Sequence, residues 1–214
     1  MQSRTAVLFA GLVLALPACA DESPTRVTPE TSPVSLFPHT GGGGPDQPGG
    51  STRVCSMKAV TGEVRCFRDL AAYLADRTGG RITKVKDPSN ITEAEIDAID
   101  VAAAEARRST GARITSSVTT AILYDLPYRN YSADYIFMDA PSGCDTNKST
   151  AEWAWSALTA SFDNRTSSFQ GYNNCAVKLW TAQTYAGIAW GPASYTDSFG
   201  GHAIDNNASS VKVY

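Results

Sequence analysis

A six-residue pattern of oxygen-bearing side chains occurs twice in the chain. The first copy runs from Asp163 to Ser168 and the second from Asp205 to Ser210, and each reads Asp-Asn-x-x-Ser-Ser. Hard cations such as calcium are bound by about six to eight oxygens, which carboxylate, amide, hydroxyl and backbone carbonyl groups supply. The pattern therefore predicts a cation site at each copy.

Turn formation is the alternative explanation for either copy taken alone. Asp, Asn and Ser are common turn residues because their side chains hydrogen-bond to the nearby backbone. The repetition of one spelling within about fifty residues favours a functional unit over turn chemistry. Each copy contains one carboxylate, which predicts weak binding, in the ~0.1 to 1 mM range of extracellular calcium modules.

An aromatic pattern precedes the second copy. Trp180 and Tyr185 are separated by four residues, and Gly187 follows Tyr185 after one more. This spacing, followed by Asp-Asn-x-x-Ser-Ser, resembles the Greek key motif of the βγ-crystallin superfamily, in its calcium-binding microbial branch. In that family the two aromatic residues fold a β-hairpin over itself, and the glycine adopts a backbone conformation that residues with a Cβ rarely take.

The first copy has a less complete match upstream. Tyr131 to Ala133 is similar to the aromatic-x-glycine end of the pattern, with Ala133 in place of glycine and with Leu126 or Tyr124 in place of the first aromatic residue. An alanine at a positive-φ position costs roughly 1 kcal/mol. The first hairpin is therefore expected to differ in shape, which makes the first copy the poorer candidate for a metal site.

Within this superfamily, the sequence is similar to secreted proteins grouped with the Streptomyces-type metalloproteinase inhibitor. The segment FDNRTSSFQGYNNCAVKLWTAQTYAG carries this similarity, which is strong over residues 115–214 and weak over residues 53–112. It implies a mainly β fold, a single βγ-crystallin-like sandwich of two Greek key motifs. A small α+β segment and a disordered tether are expected before the sandwich.

The resemblance also implies the calcium ligands. In the family each ion draws on both motifs and on a hairpin carbonyl, which the sequence does not assign here. The first set of candidates is Asp163, Asn164, Ser167 and the carbonyl of Arg165, and the second is Asp205, Asn206, Ser209 and the carbonyl of Asn207.

The chain has five cysteines, an odd number for an exported protein. Setting Cys19 aside leaves four, which suit two disulfides in an oxidising compartment. Chain order favours Cys55 with Cys66 and Cys144 with Cys175, one of the three ways to pair them. Metal binding by these thiols is not expected because no Cys-x-x-Cys spacing exists.

The first residues have the form of an export signal. Arg4 precedes an apolar run from Ala6 to Leu16, which is too short to span a bilayer. The end of this run, LPAC, resembles the bacterial lipobox, in which the cysteine is lipidated, so Cys19 is the predicted lipidation site. Cleavage after Ala18 or Ala20 without lipidation is the alternative, and either outcome predicts an exported protein.

Composition divides the rest of the chain. We predict a signal peptide at residues 1–19, a Pro- and Gly-rich tether at 20–52, an α+β segment at 53–112 and the βγ-crystallin-like domain at 113–214. In the α+β segment, a hairpin is expected around Val60 to Glu63, and a helix is expected to end at Gly79. A strand is expected at Arg81 to Val85, before a second helix that begins with a Thr92-x-x-Glu95 capping box.

Composition also limits the function. The net charge of −3 and the scattered basic residues argue against nucleic acid as a partner. A calcium-binding, non-enzymatic, monomeric domain is the first hypothesis, since His202 alone could serve a catalytic triad. Inhibition of an extracellular metalloproteinase is the second. Binding of carbohydrate or cell wall through tryptophans is the third, and the residues concerned are Trp153, Trp155, Trp180 and Trp190.

Overall fold

The computed structural model describes residues 52–88, 90–110 and 117–214. In this part of the chain the elements follow in the order β1 (Val54–Lys58), β2 (Val64–Phe67), α1 (Leu70–Thr78), α2 (Glu93–Ser109), β3 (Val118–Tyr124), β4 (Tyr135–Ala140), β5 (Trp153–Trp155), β6 (Ser168–Gly171), β7 (Val177–Ala182), β8 (Ala186–Ala193), β9 (Tyr195–Thr196) and β10 (Ser210–Val213). Short 3-10 turns at Pro127–Arg129 and Gln183–Tyr185 lie in the β3–β4 and β7–β8 connections.

The strands form two sheets, ordered β2-β1-β4-β3-β6-β9 and β5-β10-β7-β8. Strands β3–β6 are here called the first half and strands β7–β10 the second half. Each half places three strands in one sheet and its third strand in the other, because β5 pairs with β10 and β9 pairs with β6. This exchange ties the halves together. The predicted mainly β sandwich, preceded by a small α+β segment, is confirmed.

The outer face of the six-stranded sheet is covered by the preceding part of the chain. Strand β1 runs parallel to β4, and helices α1 and α2 pack over the sheet. The side chains of β4 alternate accordingly: Tyr135 and Phe137 contact the helices, whereas Ile136 and Met138 face the second sheet. Elements β1, β2, α1 and α2 are called the N-terminal layer below.

A buried arginine joins the N-terminal layer to the first half. Arg77 of α1 forms ion pairs with Asp139 of β4 at 2.6 Å and with Asp100 of α2 at 2.7 Å. All three side chains are less than a tenth exposed. Charges removed from water are tolerated when they are paired, and these ion pairs connect the layer to the sheet.

Local sequence signals explain the two helices. Helix α1 begins after Asp69, whose side chain accepts a hydrogen bond from the backbone of Ala72, and ends at Gly79 in a left-handed conformation. Helix α2 begins with the predicted capping box of Thr92 and Glu95. Both helices are confirmed, as is the hairpin between β1 and β2.

The predicted strand at residues 81–85 is wrong, because this segment is irregular. The hydroxyl of Thr78 accepts a hydrogen bond from the backbone of Ile82 and is bonded to the Ile82 carbonyl as well. Ile82 and Val85 still pack against the core beneath the helices. Apolar side chains reach the core here without a strand, because a side chain supplies the backbone partners that a sheet would otherwise supply.

Both predicted disulfides are confirmed. Cys55–Cys66 joins β1 to β2, and Cys144–Cys175 joins the segment after β4 to the segment before β7. Two disulfides indicate an oxidising compartment. The predicted signal peptide, the lipidation site Cys19 and nearly all of the tether lie outside the described residues. Among the helices that the structure does describe, none is long and apolar enough to cross a membrane.

Candidate cation site

The two Asp-Asn-x-x-Ser-Ser copies form matching loops. Each loop leads into the last strand of its half, since β6 begins at Ser168 and β10 begins at Ser210. Asn164 and Asn206 both have left-handed backbones, with φ of 59° and 51°. Asparagine tolerates this conformation better than most residues, which explains the second position of the pattern.

The hydroxyl of each loop lies against the amide of the other loop. Ser167 Oγ donates a hydrogen bond to Asn206 Oδ1 at 3.1 Å, and Ser209 Oγ donates to Asn164 Oδ1 at 3.3 Å. These contacts define two oxygen pairs, the Ser167–Asn206 pair and the Ser209–Asn164 pair. Both serines are at most one-twentieth exposed, and both asparagines are exposed. Each pair thus combines a buried hydroxyl with an amide open to solvent.

Backbone hydrogen bonds repeat the same crossing. Asn164 N donates to Ala208 O at 2.9 Å, and Asn206 N donates to Thr166 O at 3.0 Å. The two loops are therefore related by an approximate two-fold axis and are hydrogen-bonded to each other.

The acidic residues at the start of the loops differ in their surroundings from the hydroxyls and amides. Asp163 Oδ1 is a buried oxygen with no hydrogen-bond donor. Its equivalent, Asp205, is partly buried. Over the described ranges, no group of three His, Cys, Asp or Glu side chains is placed to hold a metal. A cation at these loops would therefore be bound mainly by neutral oxygens, with an oxygen of Asp163 free to contribute charge.

The last serine of the first copy holds the hairpin of the first half. Ser168 Oγ donates to Leu126 O at 2.7 Å and accepts a hydrogen bond from Arg129 N at 3.0 Å. Tyr128 and Arg129 have positive φ, of 60° and 52°. This serine role was not predicted from the sequence.

The second half repeats these contacts with different residues. Ser210 Oγ donates to Ala182 O at 2.7 Å and accepts from Tyr185 N at 3.1 Å. Arg129 is therefore the counterpart of Tyr185, and by the same register Tyr131 is the counterpart of Gly187.

The predicted register of the first hairpin is consequently wrong by two residues. Ala133 does not occupy a positive-φ position, and the aromatic residue of the pattern is Tyr124 rather than Leu126. Tyr131, which occupies the position that corresponds to Gly187, packs edge-on against Tyr124 and Tyr135. At Gly187 a Cβ would lie only 2.4 Å from Thr181 Oγ1, so the second half has no room for a side chain such as that of Tyr131 at this position.

The third position of the loops differs most. Arg165 and Asn207 each donate to the carbonyl four residues earlier, at 3.0 and 3.1 Å. The Arg165 guanidinium also bonds both oxygens of Asp125, at 2.5 and 3.3 Å, and one oxygen of Asp134 at 3.0 Å. Arg165 was a predicted ligand only through its carbonyl, and Asp125 was not predicted, because nothing in the linear spacing joins residues 40 apart.

The charge of Arg165 is secured by these partners. Burial lowers the pKa of its guanidinium, but the hydrogen bonds and negative charges of Asp125 and Asp134 outweigh burial and hold the pKa above the usual arginine value. The guanidinium is only about a third exposed. A permanent positive charge therefore stands beside the first loop, and the second loop has a neutral Asn207 at the same place.

The remaining residues singled out by sequence lie elsewhere. Trp155 and Trp180 are buried, and Trp190 packs edge-on against Phe169 and Phe199. Trp153 is partly buried, with its indole donating to Ser142 O. His202 is exposed in the loop before β10. These tryptophans do not form an exposed row.

No protein-family model and no curated protein matches the chain. Among solved structures the chain is similar to βγ-crystallin domains. A double mutant of such a domain from Clostridium beijerinckii is 16% identical with a TM-score of 0.34, covering 45% of this chain and 98% of that one. A βγ-crystallin from an archaeon is 17% identical with a TM-score of 0.30, covering 45% and 98%. The N-terminal domain of protein S is 15% identical with a TM-score of 0.32, covering 44% and 94%.

Proposed function

We propose that the chain is an exported, non-enzymatic βγ-crystallin-type protein whose two Asp-Asn-x-x-Ser-Ser loops bind calcium. The observation that supports the proposal is the crossing of the loops, which brings a hydroxyl oxygen within 3.1 Å and 3.3 Å of an amide oxygen from the other loop. Two oxygens at this separation can both touch one calcium ion at ~2.4 Å. Ser167 and Ser209 would offer their hydroxyl oxygens to calcium, and Asn206 and Asn164 would offer their amide oxygens.

Asp163 and Asp205 supply the negative charge in this proposal. The carboxyl oxygen of Asp163 that has no donor would gain a partner when the ion binds. Backbone carbonyls of Arg165 and Asn207, together with water, are proposed to complete the oxygen shell. One carboxylate per loop keeps the affinity low, with a dissociation constant of ~0.1 to 1 mM.

The proposed role of calcium is to lock the loops and thereby the two halves. Each loop already contacts the other, so an ion shared between them resists their separation and stabilises the folded state by mass action. At ten times the dissociation constant one site contributes about 1.4 kcal/mol, which corresponds to a rise in Tm of roughly 3 to 6 °C for a chain of this size.

Thermal melting of the full chain with and without calcium tests the proposal. We expect Tm to rise at several millimolar calcium and to rise less at equal magnesium, which demands a smaller and more regular shell. The double variant Ser167→Ala/Ser209→Ala should fold and lose the calcium response. Ser132→Ala/Ser156→Ala, which changes two exposed serines away from the pairs, is the matched control and should keep it. A wild-type Tm that does not move with calcium would overturn the proposal.

Export with a lipid anchor at Cys19 is part of the proposal. The two disulfides support an oxidising compartment, and the lipobox-like end of the signal supports the anchor. In a bacterial host, incorporation of labelled palmitate into the wild-type chain but not into Cys19→Ala would establish lipidation. If neither chain incorporates palmitate, simple cleavage and release is favoured.

Inhibition of an extracellular metalloproteinase stays a prediction that rests on sequence resemblance. Cleavage rates of a panel of secreted metalloproteinases, measured with and without the chain, provide its test. Unchanged rates across the panel would remove it.

A further inference from the structure

The two loops have the same residues at four positions and different chemistry at the third. Arg165 occupies this position in the first loop, and Asn207 occupies it in the second. Both side chains begin in the same way, with a hydrogen bond to the carbonyl four residues earlier. Only Arg165 continues outward, to the carboxylates of Asp125 and Asp134.

Backbone hydrogen bonds connect the Arg165 ion pair to the Ser167–Asn206 pair. Ser167 N donates to Tyr124 O at 2.8 Å, which places Ser167 beside the residue that precedes Asp125. Asn206 N donates to Thr166 O, directly after Arg165. The backbone that holds this oxygen pair is thus the same backbone that positions the ion pair of Arg165 with Asp125.

The Ser209–Asn164 pair has neutral surroundings at the equivalent place. Ser209 N donates to Trp180 O at 2.8 Å, and the residue after Trp180 is Thr181, which corresponds to Asp125. The hydroxyl of Thr181 accepts a hydrogen bond from Ile188 N at 3.0 Å. In the second half, therefore, neither the arginine nor the carboxylate is present.

We propose that Arg165 acts as a built-in cation: together with Arg53, which also pairs with Asp134, it neutralises Asp125 and Asp134 in the absence of calcium, and it makes the Ser167–Asn206 pair the weaker of two calcium sites. This inference rests on the proposed function. A divalent ion that approaches the pair meets a fixed positive charge, and the nearby carboxylates are already satisfied. The Ser209–Asn164 pair has no such charge beside it and binds first.

The charge of Arg165 has opposite effects on the calcium-free fold and on calcium binding. A bidentate arginine–carboxylate contact that is partly shielded from water stabilises the calcium-free fold. The same charge repels calcium, with an energy that depends on distance and on shielding by solvent. Removing it is expected to strengthen calcium binding at the neighbouring pair by roughly three- to tenfold, while lowering the calcium-free Tm by about 2 to 4 °C.

Calorimetric titration of calcium into the full chain tests the inference, with one pair disabled at a time. In a Ser209→Ala background only the Ser167–Asn206 pair remains, and adding Arg165→Gln should strengthen binding. Adding Arg165→Lys keeps the charge and should leave binding weak. In a Ser167→Ala background, Arg165→Gln should change binding much less, because the remaining pair lies beside Asn207.

Arg65→Gln is the matched control for charge. Arg65 forms a bidentate ion pair with Asp76, at 2.7 and 2.9 Å, in the N-terminal layer. Arg65→Gln removes one positive charge from the chain, as Arg165→Gln does, and should leave calcium binding unchanged. An equal gain from Arg65→Gln would show a general charge effect and overturn the role of Arg165.

The possible failures are distinguishable. If the wild type binds calcium and Arg165→Gln brings no gain in the Ser209→Ala background, the inference is wrong and the proposed function stands. If only chains with Arg165→Gln bind, the role of Arg165 stands and the wild type is not a calcium protein. If no chain binds, both fail.

Discussion

The two halves of the sandwich share one framework and differ in what surrounds it. In the first half, the outer face of the sheet is covered by the N-terminal layer, and an arginine stands beside the loop. In the second half, β8 is an exposed edge strand, with Ile188 59% exposed, and the loop is neutral. The features that stay constant are those that set backbone geometry, the left-handed asparagine and the two serine hydroxyls. Positions that face the surroundings have diverged.

Among the differences between the halves, the attachment of the N-terminal layer to the first half is expected to have the largest effect on the free energy of unfolding. In Arg77→Met the buried carboxylates of Asp139 and Asp100 lose their cation, and a broken buried ion pair costs about 3–5 kcal/mol. We expect a loss of this size in the free energy of unfolding, measured by urea denaturation. Arg65→Met breaks an ion pair that is about half exposed on the arginine side and should cost below about 1 kcal/mol. Equal losses would show that burial of Arg77 is unimportant.

The second largest expected effect on stability comes from a glycine in the hairpin of the second half. Gly187 has φ of 79° and no room for a Cβ beside Thr181, whereas Gly201 has φ of 83° and open space around it. Gly187→Ala should therefore cost about 2–4 kcal/mol, and Gly201→Ala should cost about 1 kcal/mol from backbone conformation alone. Thermal melting of the two variants measures the difference. A smaller loss for Gly187→Ala would mean that Thr181 moves aside freely.

The charge difference between the loops can also be reduced by adding a positive charge to the second loop. Asn207→Arg places a guanidinium beside the Ser209–Asn164 pair, where Thr181 offers no carboxylate to neutralise it. In a Ser167→Ala background we expect calcium binding to weaken roughly three- to tenfold, measured by calorimetry. Asn207→Gln keeps the amide and is the control. If the added charge leaves calcium binding unchanged, the charge at the third loop position does not influence the ion.

The smallest expected effect concerns the fourth loop position. Thr166 is fully buried and its hydroxyl has no hydrogen-bond partner, whereas the second loop has Ala208 there. Thr166→Val keeps the shape and removes the unpartnered hydroxyl, so it should stabilise the protein by about 1 kcal/mol or less. Urea denaturation would detect this gain, and a loss of stability would indicate a bound water at the hydroxyl.

Several parts of the fold and site could be predicted because their causes are local. The capping box of Thr92 and Glu95 and the helix end at Gly79 depend on contacts within one turn. The hairpin register of the first half was missed because Arg129 and Tyr131 occupy the positions of the second aromatic residue and the glycine, and neither residue matches the pattern. The ring of Tyr131 fits there because Tyr124 and Tyr135 pack against it, and the spacing of residues does not reveal that contact.

By itself the sequence determined the duplication, the oxygen-rich composition of the two loops, the two helices and the cysteines available for pairing. The tertiary structure alone decided that each serine meets the asparagine of the other loop, that β5 and β9 change sheets, and that Arg165 is held by Asp125. The serine–asparagine contacts join residues 39 and 45 apart, and the arginine contact joins residues 40 apart. Such contacts depend on how the two sheets pack, and no short stretch of sequence contains that information.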